Sequence, residues 1–141
     1  MSGPIIAVDV GTVRIGVASC AGPGLPALPV TTLTHESRKK DVQAIVALAR
    51  ERGARTIVVG YPLRLDGARG PAAEKMERFI AALRGVFDGE VVGVDERMTS
   101  ALAARKLRDT GAGGARRRQL VDRFAAVEIL ESYLARGEGD A

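Results

Sequence analysis

Three acidic positions of this 141-residue chain have neighbours that suggest chemistry. Asp9 interrupts the apolar run PIIAVDVG, Asp95 and Glu96 directly follow the apolar run VVGV, and Asp122 lies within QLVDRFAAVEIL. A charged group at the end of a buried strand costs free energy unless it is paired or binds a metal. We therefore consider these positions first one by one and then as one catalytic set.

The two strand-end positions also have structural interpretations. Asp9 could accept a hydrogen bond from the Gly11 amide in a turn, which is a common role for aspartate beside glycine. Asp95 and Glu96 stand at the carboxyl end of a strand, where open sheets bind ligands. They could equally favour the positive end of a helix that begins at Thr99.

The helical pattern around Asp122 predicts that its carboxylate points into the protein. Steps of three and four residues from Asp122 reach a small and apolar face, formed by Ala125, Ala126, Ile129 and Tyr133. Alanines on this face would let the helix approach the sheet closely. The alternative is an acid of the first helical turn that pairs with Arg118 or Arg123.

Taken together, the three positions could gather hard oxygen ligands around Mg²⁺ or Mn²⁺. No histidine and cysteine set competes, because His35 and Cys20 are the only residues of their types. Two such metals can activate water and stabilise the leaving oxygen of a phosphodiester without a side-chain nucleophile. The number of metals, one or two, stays open at this point.

The elements that would position these acids form an α/β pattern of order β-β-β-α-β-α-β-α-α. Strands are predicted over residues 5–10, 13–19 and about 27–33, in RTIVVGYP, and in EVVGVD at 90–95. The turn Gly11-Thr12 reads as a tight hairpin in which glycine supplies backbone freedom. The pattern predicts a mixed five-stranded sheet, with an antiparallel meander on one side and parallel strands with crossover helices on the other.

Helices are predicted from Ser37 to about Arg52, with Gly53 as the stop, and from Pro71 onward. Two more are predicted from Thr99 to about Gly111 and from about residue 119 to 136. The stretch GAGGARRR reads as a flexible basic connector, and residues 137–141 as a frayed tail. The whole chain, 1–141, is expected to form a single domain.

Composition narrows the functional classes. The chain is 46% hydrophobic and 27% charged, which is ordinary for a globular protein, and its net charge of +4 suits a polyanionic partner. Aromatic residues make up only 4% of the chain, which argues against a stacking platform for bases. A single cysteine and the lack of a basic leader or a long apolar segment predict a cytoplasmic protein without a membrane partner.

Four motifs, in order and with fitting gaps, resemble the YqgF/RuvX family over nearly the whole chain. They are DVGTVRIGVA at 9–18, VVGYPLRLDGARGP at 58–71, VDERMT at 94–99 and VDRFAAVEIL at 121–130. The resemblance implies a ribonuclease H-like fold related to the RuvC resolvases, and a nuclease linked to processing the 5′ end of the 16S ribosomal RNA precursor. Holliday junction resolution is the alternative activity that it implies.

The resemblance also implies site residues. It assigns Asp9, Glu96 and Asp122 as the catalytic, metal-binding acids, and it favours Glu96 over Asp95, a choice that the strand pattern leaves open. RuvC-type enzymes carry a second acid three residues after the helix aspartate, where this chain has Ala125. Three carboxylates are therefore expected instead of four.

Basic residues in or near the motifs are predicted to contact phosphates of a nucleic acid, either precursor ribosomal RNA or branched DNA. The best candidates are Arg14 and Arg97, because they are closest in sequence to the proposed ligands. Further candidates lie in two segments and are Arg64, Arg69, Arg116, Arg117 and Arg118. For any single one of them, a solvated surface charge is the simpler interpretation.

Two other functions compete with a nuclease. The DVGT turn also resembles the first phosphate loop of actin-type and Hsp70-type ATPases, but those enzymes close two lobes on ATP and this chain has the length of one. A non-catalytic nucleic-acid-binding module, as in the Tex-type transcription factors, is the second. The residues decide neither between a monomer and a homodimer nor whether activity needs a partner such as the ribosome.

Overall fold

The computed structural model describes residues 3–11, 13–22, 24–61, 70–95 and 115–135, and for residues 61, 72 and 115–122 only the backbone. Five strands and three helices lie in these ranges. In chain order they are β1 (Ile5–Val10), β2 (Arg14–Cys20), β3 (Leu28–Thr34), α1 (Arg38–Glu51), β4 (Thr56–Tyr61), α2 (Pro71–Val86), β5 (Glu90–Asp95) and α3 (Ala115–Ala135).

The strands form one mixed sheet in the order β3-β2-β1-β4-β5. β1 pairs with β2, and β2 with β3, in antiparallel fashion, whereas β4 runs parallel to both β1 and β5. The predicted meander and parallel half are thus confirmed. Because β1 is the central strand, whatever follows its carboxyl end lies in the middle of one sheet edge.

Each face of the sheet is covered by helices, which gives two separate apolar cores. Residues of α1 and α2 pack with Ile6 and Val8 of β1 in the first core. Residues of α3 pack with Ile5 and Ala7 of β1 in the second core. Successive residues of β1 therefore point to opposite faces, as the period of a strand requires.

Local signals explain where the helices begin and end. The Ser37 side chain accepts a hydrogen bond from the Lys40 amide at 3.2 Å and caps α1, and Gly53 adopts a positive φ of 68° just beyond the end of that helix. Pro71 occupies the first turn of α2, as predicted. The predicted helix from Thr99 to Gly111 and the predicted tail at 137–141 lie outside the described residues.

The start of α3 corrects one prediction. Residues Ala115 to Arg118 belong to the helix, whereas the sequence had suggested a basic connector followed by a helix from about residue 119. Alanine and arginine are both strong helix formers, so a run of them extends the helix toward the preceding glycines. Arg116, Arg117 and Arg118 are consequently part of the first turn of α3.

Within the described ranges, no helix has both the length and the apolar character that crossing a bilayer requires. The longest of them, α3, spans 21 residues but includes charged residues along its length.

Candidate active site at the carboxyl edge of the sheet

Asp9 is the fifth of the six residues of β1, and its side chain is completely buried, with 0% of its surface exposed. Along β1, Asp9 lies two and four residues after Ala7 and Ile5, so it is on the same face of the strand. Ile5 and Ala7 belong to the core under α3. The carboxylate therefore lies on the α3 face of the sheet. The burial of this acidic side chain agrees with the prediction that Asp9 lies at the end of a buried strand.

Both strand positions beside Asp9 are glycines. Gly16 of β2 is its direct antiparallel partner. On the other side, Val8 pairs with Val59, and Gly60 is the next residue of β4. No side chain of the two neighbouring strand positions therefore flanks Asp9 within the sheet.

The β1–β2 connection argues against the Gly11 amide as the partner of Asp9. The Gly11 amide donates to the Arg14 carbonyl at 2.9 Å, so it is already used by the backbone of the hairpin. The connection spans residues 11–13, one residue longer than predicted. Its last residue is held by the His35 amide, which donates to the Val13 carbonyl at 2.9 Å. Among the described glycines, positive φ occurs at Gly3, Gly24 and Gly53, so Gly11 needs no special backbone freedom.

The inward face of α3 is confirmed. Four residues of this face are fully buried and form the second core with strand residues, namely Ala125, Ala126, Ile129 and Leu130. Tyr133 is partly buried against the same core. Asp122 lies one helical turn before Ala125 and Ala126, on the side of α3 that meets the sheet.

A long-range hydrogen bond links α3 to the edge strand β3. Arg123 Nε donates to Thr32 Oγ1 at 3.2 Å. Thr32 pairs with Gly16, and Gly16 pairs with Asp9, so the three residues form one row across β3, β2 and β1. The side chain of the residue next to Asp122 thus reaches the row of the sheet that contains Asp9, at the edge strand two strands away from β1.

The sequence does not predict the bond between Arg123 and Thr32, since it suggests Arg123 only as a partner for Asp122. The two residues are 91 positions apart, and no local pattern links them. The even-numbered threonines of β3 could have suggested a polar stripe on one face of an edge strand, although not its partner.

Asp95 lies on the other face of the sheet. It is the last residue of β5 and pairs with Tyr61. Val91 lies four residues before Asp95 and therefore on the same face of β5, and it belongs to the core under α1 and α2. Val94, on the opposite face, belongs to the core under α3. The Asp95 side chain is therefore directed away from the face that holds Asp9, and Glu96 lies outside the described residues.

Of the candidate phosphate contacts, Arg14 is the one whose side chain is described. Arg14 is the first residue of β2 and is partly buried. It lies two residues before Gly16, so its side chain is on the same face of the sheet, the α3 face, one step beyond the row of Asp9 and Gly16. Arg116, Arg117 and Arg118 are placed on α3 by their backbone alone. Arg64, Arg69 and Arg97 lie outside the described residues.

The described side chains include no group of three or more His, Cys, Asp or Glu residues arranged to hold a metal. Of the three proposed acids, only Asp9 contributes a side chain to that search. What the described part offers is a buried oxygen donor of the kind that Mg²⁺ and Mn²⁺ prefer, at a sheet edge with small neighbours. The donor chemistry and the location fit such a metal.

Known proteins resemble this chain over most of its length. The model of the RuvX family, described as a Holliday junction resolvase, matches residues 3–136. A protein of Syntrophus aciditrophicus named "Putative pre-16S rRNA nuclease" is 42% identical over 130 residues, which cover 92% of this chain and 87% of that protein. A protein of Chloroflexus aurantiacus with the same name is 40% identical over 130 residues, which cover 92% of this chain and 85% of that protein.

Solved structures with this fold include two Holliday junction resolvases. RuvC of T. thermophilus, in complex with its Holliday junction substrate, has a TM-score of 0.53 at 16% identity, covering 95% of this chain and 96% of that one. The fowlpox virus resolvase, in complex with Holliday junction DNA, has a TM-score of 0.56 at 10% identity, and the match covers 96% of this chain and 98% of that one. The predicted ribonuclease H-like, RuvC-related fold is thereby confirmed.

Proposed function

Because the chain belongs to the RuvX family, we propose that it is a divalent-metal-dependent nuclease that hydrolyses phosphodiester bonds. The observation that carries this proposal is the fully buried carboxylate of Asp9 on the central strand. It lies on the face to which the first part of α3 is docked by Arg123 and Thr32. The Gly11 amide, the turn partner that the sequence suggests for Asp9, donates instead to the Arg14 carbonyl.

The proposed catalytic and metal-binding acids are Asp9, Glu96 and Asp122. Asp122 is supported by its place on the inward side of α3, beside Arg123 on the Asp9 row. Glu96 is supported by exclusion of its neighbour, because the Asp95 side chain is directed to the opposite face. The three acids come from three distant segments, which only the sheet and α3 can bring to one edge.

These residues would hold Mg²⁺ or Mn²⁺, which supplies activation of water and stabilisation of the leaving oxygen in phosphodiester hydrolysis. The protein supplies a buried position for the ligands and cations for the substrate. Arg14 lies on the same face as Asp9, which supports a role for it in holding a phosphate of the substrate strand. We propose the same role for Arg97, Arg64, Arg69 and the three arginines that begin α3.

The proposed substrate is the 5′ region of precursor 16S ribosomal RNA, in the cytoplasm. It is favoured by the names of the relatives at 42% and 40% identity. A second candidate substrate is a four-way DNA junction, which the description of the family favours. The Cys20 thiol is buried and donates to the Gly22 carbonyl at 2.9 Å, so a disulfide to a second subunit has no support.

The test is cleavage of both substrates by the purified full-length protein. Precursor ribosomal RNA and a four-way DNA junction are each incubated with Mn²⁺, with Mg²⁺ and with chelator. The same reactions are run with Asp9→Asn, which keeps the size of the side chain and removes its charge. Asp95→Asn is the control, because Asp95 is an aspartate at the end of another strand of the sheet and is directed to the other face.

The proposal predicts metal-dependent cleavage by the wild type and by Asp95→Asn, and a loss of at least about 1,000-fold in Asp9→Asn, equivalent to about 4 kcal/mol in the barrier. Preference for the RNA would support ribosomal RNA processing, and preference for the junction would support resolution of branched DNA. Cleavage that survives chelation would sink the metal mechanism. Binding without cleavage of either substrate would favour a non-catalytic nucleic-acid-binding module.

A further inference from the structure

A cavity of about 360 Å³ opens on the opposite side of the sheet from Asp9, between the beginnings of α1 and α2. Its wall begins at Val10 and Gly11, the two residues that follow Asp9. Two residues of extended chain span about 7 Å. The cavity and the proposed catalytic acid therefore share one edge of the sheet, on its two faces.

The cavity has an apolar floor and a cationic rim. Met76 and Phe79 of α2 form part of the floor and are 6% and 4% exposed. Three exposed cations from the two helices stand at the rim, namely Arg38, Lys75 and Arg78. Within the described part of the chain no carboxylate forms a salt bridge with them, so their charge is available to a ligand.

One polar group inside the cavity is held in a fixed orientation. Asp41 is 3% exposed and accepts a hydrogen bond from His35 Nδ1, while its other oxygen accepts from the Glu36 amide at 3.0 Å. The His35 side chain is 30% exposed. With Nδ1 bound to Asp41, the Nε2 atom is the one left to a ligand, in a ring whose plane the carboxylate has set.

We propose that this cavity binds one unstacked nucleotide of the nucleic-acid substrate. The base would occupy the apolar floor, its edge would meet His35 Nε2, and its phosphate would lie between the rim cations. The volume is at the low end of small-molecule sites, which fits one nucleotide and excludes a duplex. Recognition of unstacked bases in pockets of this kind is the usual way in which proteins read single-stranded RNA.

This inference rests on the proposed nuclease function and adds a substrate requirement to it. A strand that crosses the edge of β1 would pass from the face of Asp9 to the cavity. The substrate should therefore carry an unpaired nucleotide close to the bond that is cut. A single-stranded segment of precursor RNA meets this condition, whereas a fully paired junction arm does not.

The first test measures binding of a fluorescent ten-nucleotide single-stranded RNA to the full-length protein, in chelator, at several salt concentrations. Each phosphate contact contributes about 0.7 to the slope of log affinity against log salt for a single strand. The double variant Lys75→Ala with Arg78→Ala should therefore lower this slope by about 1.4. The matched control is Lys39→Ala with Lys40→Ala, which removes two exposed charges of α1 outside the cavity.

The second test locates the base. Adenosine 5′-monophosphate and inorganic phosphate are added separately, and the NMR signal of the Met76 methyl group, assigned with Met76→Leu, is followed. The proposal predicts a shift with the nucleotide that inorganic phosphate does not produce, and a weaker shift in the Lys75 and Arg78 double variant. Equal shifts with both ligands, or none with the nucleotide, would overturn it.

Equal salt slopes for the two double variants would likewise refute the pocket. Neither binding readout requires cleavage, so the two proposals can fail separately. A wild type that binds the RNA through the cavity but never cuts it would contradict the nuclease and leave the pocket standing. If the wild type cleaves the RNA but the Lys75 and Arg78 double variant shows an unaltered salt dependence of binding, the nuclease would stand and the pocket would be refuted.

Discussion

The hydrogen bond between Arg123 and Thr32 leads to a prediction that links the position of α3 to activity. Thr32→Val replaces the acceptor hydroxyl by a methyl group of almost the same size. The Arg123 guanidinium then loses the contact at 3.2 Å that docks the first part of α3 on the Asp9 row. Valine is well accommodated in a strand, so β3 itself should form as before.

The expected loss of stability is modest. Hydrogen bonds with a charged partner contribute about 1.5–3 kcal/mol, and the lower end applies here because Arg123 is partly exposed and water can replace the threonine. We expect the free energy of unfolding to fall by about 1–1.5 kcal/mol. For a chain of this length, that lowers the melting temperature by about 3–5 °C.

The loss of activity should be larger than the loss of stability explains. A displacement of about 1 Å between catalytic groups can cost about 100-fold in rate. At a temperature well below both melting points, where both proteins are folded, we expect Thr32→Val to cleave the preferred substrate at least about 10-fold more slowly. Single-turnover cleavage and thermal unfolding of the same preparations give the two quantities.

The control is Thr31→Val, the same substitution one residue earlier on the opposite face of β3. The Thr31 hydroxyl makes no side-chain hydrogen bond within the described residues. Its replacement should change the unfolding free energy by less than about 0.5 kcal/mol and leave cleavage unchanged. Equal behaviour of the two variants, in stability and in rate, would refute the docking role of Thr32.

Three further predictions concern the acids and the helix. Glu96→Gln should abolish cleavage while Asp95→Asn retains it, and the opposite result in the cleavage assay would reverse the choice between them. In chelator, Asp9→Asn should unfold at the same temperature as the wild type or higher, because it would relieve repulsion within the proposed group of carboxylates. A marked decrease would indicate a structural hydrogen-bonding role. Ala126→Leu should lower the unfolding free energy by about 1–3 kcal/mol through overpacking against the sheet. Glu131→Leu, an exposed position of the same helix, should change it by less than about 0.5 kcal/mol in the same denaturant titration.

Most of the fold could be predicted from local patterns. Continuous apolar runs marked β1, β4 and β5, and helix signals at Ser37, Gly53 and Pro71 marked helix boundaries that the structure reproduces. The prediction failed where two local signals conflicted. At residues 115–118, low complexity and preceding glycines suggested a connector, but the helix propensity of alanine and arginine prevailed.

The candidate site was only partly predictable, because its arrangement depends on register. The sequence pattern placed Asp9 at a buried strand end, and the structure agrees. It could not separate Asp95 from Glu96, since that choice requires knowing which face of β5 meets α3. The row that joins Asp9, Gly16 and Thr32 to α3 arises from three strands and a distant helix, which no local pattern encodes.

The most direct test of the central claim is the affinity for Mn²⁺, measured by water-proton relaxation on the wild type, Asp9→Asn and Asp95→Asn. Asp9 is proposed as a metal ligand on the α3 face, and Asp95 lies on the other face. We expect Asp9→Asn to bind Mn²⁺ at least 10-fold more weakly than the wild type, and Asp95→Asn to bind Mn²⁺ like the wild type. Unchanged Mn²⁺ affinity in Asp9→Asn would contradict this claim.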